Sequence, residues 1–508
     1  MGVPSPKQAS PPVSDLERGD ERTPLLARYM SNEDTCVEET QGVAAAKDPS
    51  FTDALKDETV VEAWWTEVRV MASSSSNMAV TFFLQYSINF MSVFAAGRLG
   101  KVELGAVALA NMTTGVTCLA PFLGLATALD TLCPQAFGDG RKHLVGLHCQ
   151  RLTLLLFTCA VPVSIFWYMS EPLFASLLGN EETARLTCLY LRVMILSLPG
   201  TIVYETGKRM LQAQGMFRQT SYVLFITAPL NLIANWLLVW KLELGYIGAP
   251  LAVTFSRNLL ALLLVLYIRY VNGSQCWGGF DKRAMTNWGP MVWLALPGMT
   301  MVLAEWGAFE IMTFLASRFG TDYLAAQSIL GSSAAISFQI PFAMSVATST
   351  RIANLIGAGL VDRAKLAARI AIIAFWLVSM VICALYISLR YYIPWVFTSE
   401  SEVIELAARV MPIVGAMQLV DVVATGMNGL LRGVGKQSIG GPTNVFAYYV
   451  VSLPLSLWLM TSFGWKLEAL WTGVTVALFL VIVIEGAFLL RVDWDAASAE
   501  AKKRNEAN

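Results

Sequence analysis

Residues 97–106 read GRLGKVELGA, and residues 317–326 read SRFGTDYLAA. Arg98, Gly100, Leu104 and Ala106 recur as Arg318, Gly320, Leu324 and Ala326, an offset of 220. Further along, TLCPQAFGDG (131–140) answers TRIANLIGAG (350–359), where Gly138 and Gly140 match Gly357 and Gly359 at offset 219. LQAQG (211–215) answers LRGVG (431–435), again at 220. Apolar sequence produces false matches, but three separate blocks at one steady offset are hard to obtain by chance. The chain therefore reads as two copies of one unit.

Each unit is a series of apolar runs of roughly twenty residues, the length a helix needs to cross the hydrocarbon of a bilayer. Twelve such spans are expected, at about 70–97, 103–137, 143–169, 184–213, 218–240, 245–271, 288–319, 322–356, 364–390, 402–432, 438–461 and 466–490. Six spans per unit is an even number, so both units enter the membrane the same way round. Their pseudo-two-fold axis then runs along the membrane normal, as in parallel-repeat transporters. The fold expected is all-α and integral to the membrane, with twelve transmembrane helices in two six-helix lobes. Duplication could also merely build a larger bundle, but two lobes flanking a cleft suit alternating access.

Composition agrees. Of 508 residues, 55% are apolar and only 14% charged, against about a quarter charged in soluble domains. Mean hydropathy is +0.55. A formal net charge of -1 gives no reason to expect a nucleic-acid partner. The polar residues gather at the ends, which divides the chain into an N-terminal tail (1–69), a first lobe (70–271), an inter-lobe loop (272–287), a second lobe (288–490) and a C-terminal tail (491–508). The start lacks the basic-then-apolar pattern of a signal peptide. The eight cysteines are scattered without a CxxC pair and read as small buried residues. The two histidines, His143 and His148, read as solvated loop residues.

Basic residues set the expected orientation. Arg141, Lys142, Lys208, Arg209, Arg218, Lys282, Arg283, Arg363, Lys365, Arg432 and Lys436 fall in one set of alternate loops. The positive-inside rule places that set, and with it both termini, in the cytosol.

An ATP-driven pump would need a nucleotide site. The nearest approach is RGVGKQS (432–438), but a phosphate loop requires Gly where Leu430 stands and Ser or Thr where Gln437 stands. No ATP site and no other cofactor is expected, so transport would run on an ion gradient, with protons as the favoured ion.

Ionisable groups at membrane depth are costly and are functional candidates by default. The chief ones are Glu305 and Glu310 in span seven and Asp421 in span ten, read as coupling acids. A shielded carboxyl group can bind a proton on one side and release it on the other. It can also pair with a cationic solute, so proton and substrate compete for one charge. Asp130 and Arg351 are structural or gating candidates, and Glu485 reads as interfacial. Neutral polar residues in apolar runs, among them Gln135, Gln339 and Asn428, line a wet cavity or bond between helices. Trp306, Phe309, Tyr448 and Tyr449 offer faces on which a flat or cationic solute could stack.

At these residues a resemblance is plain. EWGAFE (305–310) resembles the acidic, Trp-containing signature of span seven in eukaryotic multidrug and toxin extrusion (MATE) transporters, here of fungal type. SVATSTRIANLIGAG (345–359), DVVATGMNGLLRGVG (421–435) and NVFAYYVVSLPL (444–455) are similar to matching blocks of that family. So are LGKVELGAVALA (99–110), ALDTLCPQAFG (128–138) and LGYIGAPLA (244–252) in the first half. The resemblance covers 70–490. It implies antiport of organic cations, drugs or metabolites against protons, or less readily sodium, and it places the family's second-lobe acids on Glu305, Glu310 and Asp421. Gln135 and Arg351 are the family's Gln and Arg of the two repeated blocks. Ser332 stands where animal relatives carry a further span-eight acid, and Gly307 where they carry a second Trp. Span one offers only Gln85 and Asn89 in place of an acid used by many prokaryotic members.

The tail carries ERTPLL (21–26), in which Glu21 precedes Leu25 and Leu26. It looks like an acidic dileucine sorting signal, read by adaptors on cytosolic tails bound for vacuoles or lysosomes. A vacuolar or lysosome-like membrane is therefore favoured over the plasma membrane. The expected partners are small organic cations, the lipid bilayer and such an adaptor, with the chain acting as a monomer. A flippase for lipids or lipid-linked sugars is the nearest rival, and a membrane-embedded enzyme would need a metal or nucleophile constellation that the sequence does not offer.

Overall fold

A computed structural model describes residues 60–97, 100–178 and 181–507. Glu21, Leu25 and Leu26 lie outside the described residues. The long helices are α1 (Val60–Gly97), α2 (Val102–Gly138), α3 (Lys142–Met169), α4 (Glu181–Ala213), α5 (Arg218–Lys241), α6 (Gly245–Tyr270), α7 (Gly289–Ser317), α8 (Thr321–Gly357), α9 (Val361–Ser388), α10 (Ser401–Val434), α11 (Gln437–Phe463) and α12 (Leu467–Arg491). Eleven of them, α2 to α12, are long and apolar enough to cross a membrane. With α1, whose 38 residues reach about 57 Å, they make twelve. Helices are forced here because hydrocarbon leaves no outside partner for a backbone N–H or C=O.

Large apolar side chains cover the outside, including Ile233, Trp293, Leu377 and Phe479. Inside, burial divides into two main clusters. One joins α2 to α6 with the start of α7, and the other joins α7 to α12 with Met71 of α1. These are the two lobes, and α1 and α7 each lean on the lobe opposite their own.

The sequence repeat is a symmetry of the backbone. Gly140 and Gly359 both adopt the left-handed conformation (φ 77° and 79°), as do Gly215 and Gly435 (φ 78° and 79°). A side chain would be strained there, so glycine ends all four helices. Between the lobes, a methyl group on Gly138 would overlap the Asn354 carbonyl oxygen, and one on Gly357 would overlap the Gln135 carbonyl oxygen. Each contact is the other's image under the repeat, so α2 and α8 cross on the pseudo-two-fold axis.

Three features depart from expectation. Helix α1 already runs from Val60 rather than from near 70, and Glu67, two turns in, is buried against cations of the other lobe. The polar stretch after α12 is no free tail. It folds into α13 (Trp494–Glu506), capped by Asp493 and seated through buried Ala497 and Ala501. Third, Lys208, Arg209 and Arg432 are buried inside α4 and α10 rather than lying in loops. Arg218, expected in a loop as well, is buried at the start of α5.

Candidate functional site

Asp421, Asn428 and Arg432 sit on α10 at spacings of seven and four residues. At 3.6 residues per turn these fall on one stripe. Their neighbours come from several helices. Glu305 of α7 lies within electrostatic range of both Asp421 and Arg432. Tyr448 of α11, fully buried, lies within range of Glu305, Asp421 and Glu485. Asn444 of α11 donates through Nδ2 to Asn428 Oδ1 (3.3 Å) and to Glu485 Oε1 of α12 (3.2 Å). Nearby, Gln418 donates to Ser337 Oγ at 2.7 Å, and Ser337 shares a hydrogen bond with Tyr386 (3.0 Å). Helix α11 passes this column in a π-helical stretch, Phe446–Ser452, a form found mostly as single bulges at functional positions.

The buried acids fall into two kinds. Glu67, Asp130, Asp139 and Glu205 each pair with a cation. Among the described residues, no cation lies within 4 Å of buried Asp421 or Glu485, nor of half-buried Glu305 and Glu310. Taking a charge out of water is costly unless it is paired, so the first kind are structural ions. The second kind are free to exchange a proton or receive a cation.

The paired acids tie the lobes together at one end. Arg209 of α4 donates to Asp130 Oδ1 (3.0 Å) and Glu205 Oε2 (2.6 Å), and Lys208 donates to Glu205 Oε1 (2.9 Å). Arg432 reaches across from the second lobe to within 3.9 Å of Asp130 Oδ2 and donates to Ser345 Oγ (2.6 Å). Two anions thus face three cations. The surplus positive charge, on Arg432, reaches Glu305 and Glu485. Arg351 grips Glu67 with two bonds of 2.8 and 2.7 Å, joining α8 to α1.

The other expected residues are placed as follows. Gln135 is buried at the inter-lobe crossing, donating to the Gly433 carbonyl (3.3 Å) and accepting from Arg504 of α13 (2.9 Å). Trp306 faces α2, where a methyl on Gly115 would stand 3.9 Å away. Phe309 packs edge-on against Trp471 with ring centroids 6.1 Å apart. Half-buried Gln339 turns back to its own helix, donating to the Ala335 carbonyl (2.9 Å). Ser332 and Tyr449 are half-buried. Glu305 and Glu310, five residues apart, are about 140° apart on α7, and only Glu305 lies within electrostatic range of Asp421.

Two readings are corrected. Glu485 is not interfacial but completely buried, and His148 is not solvated but buried in α3 with neither ring nitrogen bonded. Both lie near a span end in sequence. The polar partner that draws Glu485 inward, Asn444, is distant in sequence and leaves no local mark. An available signal was the single acid in the run LFLVIVIEGAFLL (478–490).

Two six-helix lobes around an axis of repeat symmetry, with unpaired acids in the interior of one, define a multi-pass membrane transporter. Within that class the chain belongs to the MatE family, whose model matches residues 78–237 and 297–458, one stretch per lobe. An uncharacterized transporter of Saccharomyces cerevisiae is 40% identical over 432 residues, covering 85% of this chain and 62% of that protein. The chain thus spans less than two thirds of that relative's length. An uncharacterized transporter of Schizosaccharomyces pombe is 37% identical over 85% of this chain and 81% of its own length. Multidrug and toxin extrusion protein 1 of Homo sapiens is 31% identical over 87% of this chain and 78% of its own length. Among solved structures, the eukaryotic MATE transporter AtDTX14 superposes with a TM-score of 0.83 at 25% identity, covering 87% of this chain and all of that one. These relatives are named as transporters and not as enzymes.

Proposed function

We propose that the chain is a secondary antiporter that moves organic cations, drugs or metabolites against protons by alternating access. The observation that carries this reading is the unpaired pair Glu305 and Asp421. They are two acids within range of each other, beside Tyr448, in a lobe where no cation neutralises them. Two carboxyl groups so placed cannot both be charged cheaply. A cation entering between them relieves that repulsion and releases a proton, so the two occupants exclude each other. Trp306 and Tyr449 supply aromatic faces that suit a flat cation. Glu310 serves as a further coupling acid, and Ser332, Phe309, Gln339 and Asn428 shape the cavity. The proton gradient is the only energy source required.

The loops at 139–141, 282–283 and 436 and the first turn of α9, with Arg363 and Lys365, carry the excess of Lys and Arg, which favours a cytosolic position for that end and for both termini. The Glu21, Leu25 and Leu26 signal favours delivery by an adaptor to a vacuolar or lysosome-like membrane. There, exit of protons would drive uptake of cargo by the monomeric carrier. Sodium coupling and lipid flipping are the alternatives.

The test is reconstitution in liposomes, with efflux of a fluorescent organic cation followed under an imposed pH gradient. Wild type should require the gradient, and Glu305→Gln should lose at least about tenfold in rate. Transport indifferent to proton and sodium gradients alike would overturn the reading.

A further inference from the structure

Glu485 is as deeply buried as any acid in the described chain, and it lies on a helix to which no coupling role has been given. Its Oε1 accepts a hydrogen bond from Asn444, while its Oε2 is buried with no partner. A charged carboxylate with one oxygen bare in a dry interior is among the costlier arrangements a protein can hold. The other fully buried acid, Glu67, shows how this chain treats a permanent charge, with a bidentate arginine. Glu485 has only the distant field of Arg432. A protonated acid suits the geometry instead. Its carbonyl oxygen takes the Asn444 hydrogen bond, and its hydroxyl needs no acceptor as strongly as a bare anion needs a donor.

The charged and titratable groups around it are few. Helix α10 presents Arg432 and Asp421, and α11 presents Tyr448 and Tyr449. Glu305 of α7 stands beyond Tyr448. Asn444 is the physical link: its Nδ2, which also donates to the Gly440 carbonyl (2.9 Å), lies within hydrogen-bond reach of both Glu485 Oε1 (3.2 Å) and Asn428 Oδ1 (3.3 Å), the latter on the same α10 stripe as Asp421. A movement of α10 or α11 as the lobe receives cargo would break or remake this link.

Resting on the antiport reading above, we infer that Glu485 is a further proton-carrying acid of the second lobe, beside Glu305, Asp421 and Glu310, and that it gives up its proton when the cation binds near Glu305 and Asp421. In that step the Oε2–H bond breaks, the electron pair stays on the oxygen, and the proton passes to water admitted as the helices part. Arg432, surplus in the inter-lobe ion cluster, then stabilises the carboxylate.

The test uses the full-length protein in detergent at low buffering, with ethidium as the cation and a pH dye to count released protons. Glu485→Gln, which keeps the oxygen that Asn444 bonds, should release one proton fewer at saturating ethidium and, because proton loss and cation binding are linked, bind ethidium at least about fivefold more weakly than wild type. Equal release by both proteins overturns the inference and leaves the antiport reading standing. Binding without proton release in wild type overturns both. Should Glu485→Gln fail to fold, infrared difference spectra of wild type and Asn444→Ala decide the matter. A protonated-carboxyl band lost on ethidium binding should move in Asn444→Ala, where its carbonyl has lost its donor. A band that does not move, or no such band, overturns the inference.

Discussion

At the scale of single residues, the chain distinguishes its acids by whether a cation stands beside them. Glu67 and Arg351 form the clearest permanent pair, fully enclosed, with Arg363 a further 3.7 Å contact. Removing one partner of such a pair leaves an uncompensated buried charge, which costs about 3–5 kcal/mol. Glu67→Gln should therefore lower the midpoint of thermal unfolding in detergent clearly. The double variant with Arg351→Met should regain much of the loss, because the orphaned guanidinium is gone. Equal destabilisation by single and double variants would show that the pair does not act as a unit. The same distinction bears on which interior charges can be read from the sequence. Glu305 and Asp421 were legible because an acid in mid-span has no innocent place to go. Glu485 and His148 were not, because a residue near a span end has water as an alternative partner, and only the packing of α11 and α3 removes it.

At the scale of elements, hydropathy located the helices well and their ends poorly. A run stops being apolar at Glu67, at Lys208 and at Arg432, yet each helix continues, because another helix pairs Glu67 and Arg432 and Glu205 one turn earlier pairs Lys208. Helix α13 is the extreme case, for nothing in its composition suggests membrane association. It is held by contacts to both lobes. Arg504 donates to Gln135 (2.9 Å), and Arg141 donates to the Asn505 carbonyl (2.7 Å), both reaching the first lobe. Lys436 pairs with Glu500 (2.8 Å), and Ser498 donates to the Ile356 carbonyl (3.0 Å), both reaching the second. Ending the chain after Arg491 removes all four ties. Surface pairs of this kind contribute up to about 1 kcal/mol each. The truncated protein should thus remain folded with a modestly lower melting temperature. Spin labels on the 139–141 and 358–360 loops should report a wider spread of separations than in the full chain. An unchanged distribution would mean that α2 and α8 hold this end closed without help.

At the scale of the whole molecule, we expect transport and address to be separable. The lobes carry the acids, while Glu21, Leu25 and Leu26 lie outside the described residues. Replacing Leu25 and Leu26 by alanine should redirect a fluorescent fusion from an internal acidic compartment to the cell surface, with cation exchange in liposomes unaltered. Retention in the internal compartment would remove the dileucine reading without touching the antiport one.

The sequence by itself determined the duplication, the helical membrane class, the family resemblance and two acids of the central column. Each of these is written in local pattern: a repeat offset, an apolar run, a charge in the middle of a span. Tertiary structure alone decided which charges are neutralised, because pairing joins residues hundreds of positions apart, as Arg351 does with Glu67 and Arg432 with Asp130. It also decided that Gln135 bonds across the lobe contact and that α13 is docked. A hydrogen bond depends on three-dimensional proximity, and in a bundle of twelve helices that proximity is set by how the helices cross rather than by their order along the chain.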